Sequence, residues 1–198
     1  MKHITIATKN KGKAIEFKAF FKPFQVEAHS LLELAQIPED IEETGTTFEE
    51  NAELKAKGIA EQIAGPVLAD DSGLVIDGLD GRPGVYSARF AGERATDEEN
   101  IQKVLQEMNE IKEDERTARF VSVLALYIPG KGTFFSKGYC EGKITFQKRG
   151  INGFGYDPIF VPNGYTETLA ELSATEKNRI SHRSKAMKEM ESILQELF

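Results

Sequence analysis

Two adjacent carboxylates follow an apolar segment in the stretch "VLADDSGL", residues 67–74. Ionised Asp70 and Asp71 at the end of such a segment are costly unless they are paired or bound to a cation. More acids lie upstream in "EETGTTFEEN", residues 42–51, although acids there would also complement the dipole of a helix start without any metal. Carboxylate oxygens without neighbouring histidine or cysteine suit a hard ion, and Mg²⁺ typically takes one or two of them together with substrate phosphates. The acids therefore indicate metal-assisted phosphate chemistry.

A lysine-rich loop near the start of the chain offers a complementary anion site. The loop reads "TKNKGK", and its members are Thr8, Lys9, Asn10, Lys11, Gly12 and Lys13. Backbone N–H groups and the positive end of a following helix dipole favour an anion, and the lysines add cations. It is not a P-loop, because the motif GxxxxGK[ST] would need glycine at Ala7 and a hydroxyl at Ala14. The loop predicts either a phosphate cradle or a solvated, lysine-rich turn.

Two later segments could recognise the rest of a nucleotide. In "GINGFGYDP", residues 150–158, glycines allow close backbone approach, the rings of Phe154 and Tyr156 could stack on a base, and Asp157 could accept from ring N–H groups. In "EKNRISHRSKA", residues 176–186, donors could meet a base carbonyl or a phosphate. The alternatives are a tight turn with buried aromatics and a solvated basic helix.

Covalent catalysis has little support in this sequence. The single cysteine, Cys140, excludes an intramolecular disulfide and is more typical of a core thiol than of a nucleophile. The three histidines form no zinc-type spacing with it, and no convincing Ser-His-Asp order is present. The segment "RPGVYSARF", residues 82–90, is interpreted as mainly structural.

The elements that must position these residues follow from periodicity and capping signals. Residues 3–7 alternate as a strand before the lysine loop, and a helix follows in "AIEFKAFF". Capping boxes at Thr46 or Thr47 and at Thr96 predict two further helices, and Gly65-Pro66 ends the first of them. An apolar strand in "ARFVSVLALYI" opens a meander with "TFFSKGYCEG", "KITFQ" and "IFVP", and a polar linker leads to a last helix near 181–197. The mixture predicts an α/β fold with a mixed sheet.

Composition bounds the class of protein. The 198 residues can bury a real core and predict a single domain spanning 1–198, built as one compact unit or as two lobes. The net charge of -7 argues against nucleic-acid and anionic-membrane partners. No signal-peptide pattern or long apolar run is present, and the scarcity of cysteine fits a reducing compartment, so we expect a cytoplasmic location.

Taken in order along the chain, the motifs carry a family resemblance. The segments "ATKNKGK", "EETGTTFEENA", "LADDSGLVID", "GRPGVYSARF", "RTARF", "GFGYDPIF" and "ISHRSKA" closely resemble the inosine/xanthosine triphosphate pyrophosphatase family of house-cleaning nucleotide hydrolases. The resemblance implies an α/β homodimer with a long mixed β-sheet flanked by helices and two lobes with a central active-site cleft. It also implies Mg²⁺-dependent hydrolysis of ITP, dITP and XTP to the monophosphate and pyrophosphate, which keeps deaminated purines out of DNA and RNA.

The resemblance also assigns roles to residues of this sequence. The loop from Thr8 to Lys13 matches the phosphate-binding loop, Glu42 and Asp71 match the metal carboxylates, and Asp71 matches the proton acceptor. Neighbouring Glu43 is the alternative metal ligand. We expect Asp71 to activate water while Lys13 and the loop amides hold the phosphates. The matched substrate contacts are Ser72, Phe154, Gly155, Tyr156, Asp157, Lys177, His182 and Arg183.

Two other functions use the same residues differently. A non-catalytic nucleotide-binding module would need the lysine loop but no ordered pair of metal carboxylates, so Glu42 and Asp71 discriminate against it. A phosphohydrolase that removes the γ-phosphate would share both features and release orthophosphate instead of pyrophosphate.

Overall fold

The computed structural model describes residues 2–197, which form an α/β fold. Its strands are β1 (Lys2–Ile6), β2 (Val26–Ser30), β3 (Val67–Ile76), β4 (Thr117–Ile128), β5 (Gly132–Ile144) and β6 (Phe160–Pro162). Its α-helices are α1 (Lys11–Phe21), α2 (Phe48–Ile63), α3 (Asp97–Glu107), α4 (Ala174–Ile180) and α5 (His182–Leu197). Within residues 2–197, no helix has both the length and the apolar character that a membrane span requires.

The strands form a mixed sheet in the order β2-β1-β3-β4-β5-β6. Strand β1 runs parallel to β2 and to β3, while β5 and β6 are antiparallel. Residues 129–131 alone connect β4 to β5, and so short a connection requires antiparallel strands. The predicted α/β class with a long mixed sheet and flanking helices is confirmed.

The chain divides into two units. Unit 1 takes in the described parts of 1–71 and 186–198 together with 123–137, and unit 2 takes in 72–122 and 138–185. Strands β3, β4 and β5 and helix α5 each contribute residues to both units. The border within β3 falls between Asp71 and Ser72.

Each unit has a hydrophobic core of its own. In unit 1, side chains of β1, α1 and β2 pack with β4 and α5, and the buried set includes Ile4, Phe17, Phe21, Leu124 and Met190. In unit 2, side chains of β3, α3, β4 and β5 pack together, and the buried set includes Leu74, Val104, Met108, Phe120 and Phe160. Burial of these apolar side chains supplies the main stabilising free energy and fixes the strand ends that carry the polar residues.

The structure departs from the predicted elements in four places. Strand β2 was not predicted, because its sequence "VEAHS" is short and mostly polar. Strand β3 extends to Ile76 instead of giving way to turns, since "GLVI" is almost wholly buried. The separate strand predicted in "KITFQ" is wrong, because β5 runs unbroken to Ile144. Helix α4 replaces part of the predicted linker, and the Ser173 hydroxyl caps it by accepting from the Glu176 N–H at 3.2 Å.

Candidate active site

The lysine loop of unit 1 is shaped by hydrogen bonds to its own backbone. Thr8 Oγ1 accepts from the Asn10 N–H at 3.1 Å, and Asn10 Oδ1 accepts from the Lys13 N–H at 3.1 Å as the cap of α1. Helix α1 therefore begins at Lys11, earlier than the sequence predicted, and its first turn contains no acid. Cations at a helix start oppose the dipole, so this arrangement suits an anionic ligand.

Two cations of the loop are paired with carboxylates. Lys13 Nζ lies 2.7 Å from Asp70 Oδ2, and the Asp70 side chain is only 4% exposed. Lys9 Nζ lies 2.6 Å from Asp40 Oδ1 at the surface. The Asp70 contact gives that carboxylate a structural partner and holds the lysine ammonium beside the loop.

A lysine outside the loop, Lys55 on α2, lies among the acids of unit 1. It forms an ion pair with Glu43 and donates to the backbone carbonyl of Asp70 at 3.3 Å. Burial alone would lower the pKa of Lys55, but the negative charges of Glu43, Asp70 and Asp71 outweigh burial and raise it. Lys55 is therefore a firmly charged ammonium in the middle of an acidic cluster.

Asp71 is the carboxyl group with the most perturbed proton affinity in this cluster. Burial first, and the charge of Glu43 second, raise the pKa of Asp71 to about 6, against the opposing effects of Lys55 and the Asn51 amide. Asp71 is itself only 8% exposed. A carboxylate whose pKa lies close to neutral pH is well suited to accept a proton during catalysis.

The segment before α2 is fixed to that helix by hydrogen bonds. The fully buried Asn51 accepts from the Gly45 N–H at 2.7 Å, and Thr47 and Glu50 form the capping box of α2. A Cβ atom at Gly45 would lie 2.6 Å from the Glu50 Cβ, so only glycine fits this close approach. The backbone of residues 45–47 is thereby tied to the helix that carries Lys55.

The donor chemistry fits a hard divalent cation. Glu42 is exposed, whereas Glu43 is half-buried and its charge acts on Asp71. The geometry thus favours Glu43 over Glu42 as partner of Asp71, and the Glu42 assignment stays a prediction. Two carboxylates with mutually unfavourable charge match the small protein contribution that Mg²⁺ normally takes.

A cavity of about 400 Å³ adjoins these groups within unit 1. Its lining includes Thr8, Lys9, Asn10, Lys13, Glu43 and Lys55. Another cavity, of about 380 Å³ and lined by Lys143, Phe146 and Tyr165 among others, contains none of the predicted site residues. The first cavity has the cations and carboxylates that phosphate chemistry requires, so we place the phosphate-binding part of the site there.

In unit 2, Asp157 organises the glycine-rich segment. Its carboxylate accepts from the Phe154 N–H at 2.9 Å and forms an ion pair with Lys177. The Lys177 ammonium lies 4.6 Å from the centroid of the Phe154 ring, which is 59% exposed. Gly153 has a positive φ of 79°, and a Cβ there would lie 2.0 Å from Asp157 Oδ2. The segment presents the exposed Phe154 ring beside the Lys177 ammonium. The Asp157 carboxylate is buried and bonds to groups of the protein itself.

Tyr156 is anchored to the segment "RPGVYSARF". Its hydroxyl donates to the Ser87 carbonyl at 2.7 Å, and burial raises the pKa of this hydroxyl. Ser87 Oγ in turn accepts from the Leu74 N–H at 2.8 Å and donates to the Gly84 carbonyl at 2.6 Å. These contacts agree with the structural interpretation of residues 82–90.

The remaining predicted contacts of unit 2 lie at the start of α5 and in β3. The His182 ring stacks on Phe120 with centroids 5.0 Å apart and planes 13° apart. Arg183 is 7% exposed beside it, and Ser72 is half-buried in β3. These residues are thus held in place by packing, and their contacts with substrate stay predictions.

Sequence reasoning missed Asn51 and Lys55. They are four residues apart on α2 and therefore share a helix face. A polar pair at that spacing, next to the apolar stripe of α2, is the sequence signal that could have identified these two residues. It went unrecognised because an exposed Lys is the usual expectation on a helix.

Comparison with known proteins identifies the family of this chain. The sequence pattern described as the Ham1 family matches residues 4–193. The chain is 58% identical over 194 residues to a dITP/XTP pyrophosphatase of Oceanobacillus iheyensis, covering 98% of each chain. It is 51% identical over 195 residues to the protein of the same name from Bacillus subtilis, again covering 98% of each. Its structure matches that of the Staphylococcus aureus Ham1 protein with a TM-score of 0.92 and 42% identity, covering 100% of both chains. The chain therefore belongs to the Ham1 family.

Proposed function

We propose that this protein is a Mg²⁺-dependent pyrophosphatase for deaminated purine nucleoside triphosphates, namely dITP, ITP and XTP. It releases the nucleoside monophosphate and pyrophosphate. Relatives over half identical to it bear the name dITP/XTP pyrophosphatase. The observation that carries the proposal is the buried Asp71 carboxyl, whose pKa is raised to about 6 beside Glu43.

The reaction requires one proton acceptor. A water oxygen forms a bond to the α-phosphorus, the bridging oxygen between the α- and β-phosphorus leaves with pyrophosphate, and Asp71 accepts the proton of the water. An ionised Asp71 with a pKa of about 6 is available for this at neutral pH.

The loop and its lysines hold the phosphates. In the proposed complex, the N–H groups at the start of α1 and the Lys13 ammonium bind phosphate oxygens. Asp70 keeps the Lys13 ammonium beside the loop by its 2.7 Å contact. Glu43 and Asp71 would hold Mg²⁺, which supplies neutralisation of the phosphate charge when bound.

Base recognition falls to unit 2. We assign stacking on the base to the exposed ring of Phe154, and recognition of the O6 atom to donors from His182 or Arg183. Adenine carries an amino group in place of O6, so it would leave a buried donor unpaired and be rejected. Packing of His182 against Phe120 fixes the donor direction that such discrimination needs.

Product analysis tests the proposal against its two rivals. The purified protein is incubated with dITP and Mg²⁺, and pyrophosphate is resolved from orthophosphate. Pyrophosphate with dIMP is the expected result. Orthophosphate as the initial product would instead support γ-phosphate removal, and binding without turnover would support a nucleotide-binding module.

The proposal also includes a homodimeric state, implied by the family resemblance, and a cytoplasmic location, expected from the scarcity of cysteine. It includes no nucleic-acid or membrane partner, in keeping with the net charge of -7. Sedimentation equilibrium of the purified protein tests the dimer, and a monomer at micromolar concentration would contradict it.

A further inference from the structure

Two histidines and a glutamate meet on the edge of the sheet in unit 1. His3 lies directly opposite Glu27 in the parallel pairing of β1 with β2, and His29 lies opposite Thr5. Side chains two residues apart on a strand share a face, so Glu27 and His29 point to the same side. The register then brings His3 to that side as well.

The donor atoms of these three side chains are close enough to share one ion. His3 Nδ1 lies 3.2 Å from Glu27 Oε2, and His29 Nε2 lies 3.2 Å from Glu27 Oε1. One ligand atom from each residue lies within 4.8 Å of the other two. Zinc ligands at about 2.0–2.2 Å in a tetrahedral site are separated by roughly 3.4 Å. Small side-chain movements would therefore convert the cluster into a coordination sphere.

We propose that His3, Glu27 and His29 bind one divalent ion of the imidazole-preferring class, such as Zn²⁺. Two imidazoles and one carboxylate are a donor set that suits Zn²⁺, Ni²⁺ and Cu²⁺ and suits Mg²⁺ poorly. All three side chains are substantially exposed, at 59%, 45% and 39% for His3, Glu27 and His29. The ion thus has an entry path, and water completes its coordination.

This site is distinct from the proposed catalytic carboxylates. His3 stands near the start of β1 and the lysine loop begins beyond the strand's end at Ile6, and the three steps from His3 to Ile6 advance about 10 Å at roughly 3.3 Å per residue. An ion bound to His3 is therefore too far from the lysine loop to contact the same phosphate. Its effect is to clamp the edge strand β2 to β1, which leads into that loop.

Calorimetry on the full-length protein tests the site. The protein is stripped with a chelator, dialysed, and titrated with ZnCl₂ in the presence of excess MgCl₂. One equivalent of Zn²⁺ is expected to bind. His29→Gln and His3→Gln should each weaken binding by more than about tenfold, because even the loss of an outer-shell partner costs that much. Thermal denaturation should show a Zn²⁺-dependent rise in Tm in the wild type and in neither histidine variant.

Matched variants separate this site from the carboxylates of the lysine-loop cluster. Asp71→Asn should keep the Zn²⁺ affinity of the wild type, and the two histidine variants should keep its circular dichroism spectrum and its Mg²⁺-dependent turnover. Unchanged Zn²⁺ binding in the histidine variants would overturn the proposal, as would its loss in Asp71→Asn or its displacement by Mg²⁺. Absence of binding at millimolar Zn²⁺ would overturn it too.

Discussion

The charged side chains around Asp71 in unit 1 are held mainly by ion pairs, whereas the predicted base-recognition residues of unit 2 are held by main-chain hydrogen bonds and by rings, in addition to the ion pair between Asp157 and Lys177. In unit 1, Lys13 pairs with Asp70 and Lys55 pairs with Glu43, all around the buried Asp71. In unit 2, Asp157 accepts from a backbone N–H, Tyr156 donates to a backbone carbonyl, and His182 stacks on Phe120.

The side chains of the two units therefore suit different steps of nucleotide binding and hydrolysis. Mobile lysines and ionised acids can exchange partners when phosphates and a cation arrive, so the unit 1 cluster suits charge stabilisation and proton transfer. Groups fixed by the backbone keep one shape, so the unit 2 residues suit discrimination between bases. Variants in unit 1 should therefore change turnover, and variants in unit 2 should change affinity and selectivity.

The largest effect is expected from Asp71→Asn. Loss of the proton acceptor should lower kcat for dITP by about 10³-fold, within the range usual for a general base. The same change should stabilise the metal-free protein at pH 7 by about 1–3 kcal/mol, because it removes a buried charge whose pKa is raised to about 6. Steady-state kinetics and urea denaturation measure the two effects. Lower stability together with normal turnover would contradict both roles.

Lys13→Met should lower kcat/KM by about 10²-fold, since it removes a cation from the phosphate loop. It should also destabilise the protein by about 2–3 kcal/mol, because the buried Asp70 carboxylate loses its ion pair. The double variant Lys13→Met/Asp70→Asn is the control. It should recover stability without recovering turnover, and recovery of both would show that the lysine is only structural.

The pH dependence of kcat/KM should follow the protonation of Asp71. At limiting Mg²⁺, kcat/KM should fall by up to about tenfold per unit as pH drops below about 6, because the base becomes protonated. Raising the Mg²⁺ concentration should move the midpoint to lower pH, since a bound cation favours the carboxylate. As pH falls, kcat/KM decreases, whereas the stability of the wild type relative to Asp71→Asn increases. A raised pKa means that the folded state binds the proton more tightly, so the advantage of Asp71→Asn should shrink as pH falls from 7 towards 4.

The smallest effect in this set is expected in unit 2. Phe154→Ala should raise KM for dITP by about tenfold, the scale of one lost base–aromatic stacking contact, with kcat nearly unchanged. Ile151→Ala is the matched control, because Ile151 is a fully solvated apolar residue of the same segment, 97% exposed. Equal effects from both substitutions would argue against stacking on Phe154.

Much of the fold and the family could be predicted from the sequence, because the signals were local. The capping boxes at Thr47 and Thr96 are confirmed, as are the mixed sheet and the Ham1-type hydrolase family. Strand β2 and helix α4 could not be predicted, since tertiary packing overrides their weak local patterns.

The sequence predicts a set of candidate site residues but not the contacts between them. Two interactions join side chains far apart in sequence. One is the ion pair of Lys13 with Asp70, and the other is the effect of the Glu43 charge on the pKa of Asp71. Sequence spacing carries no information on such contacts. The choice between Glu42 and Glu43 shows this well, because neighbouring identical residues differ only in the direction that the folded backbone gives them.

The separate roles proposed for units 1 and 2 are tested most directly by one ratio, kcat/KM for dITP over kcat/KM for dATP. It is measured in Asp71→Asn, in His182→Phe and in Arg183→Met. The phenylalanine keeps a ring against Phe120 and removes the donors. Asp71→Asn should lower both values equally and leave the ratio unchanged, whereas at least one of His182→Phe and Arg183→Met should reduce the ratio by more than about tenfold. Near-normal turnover in Asp71→Asn, or an unchanged ratio in both His182→Phe and Arg183→Met, would contradict the proposed roles.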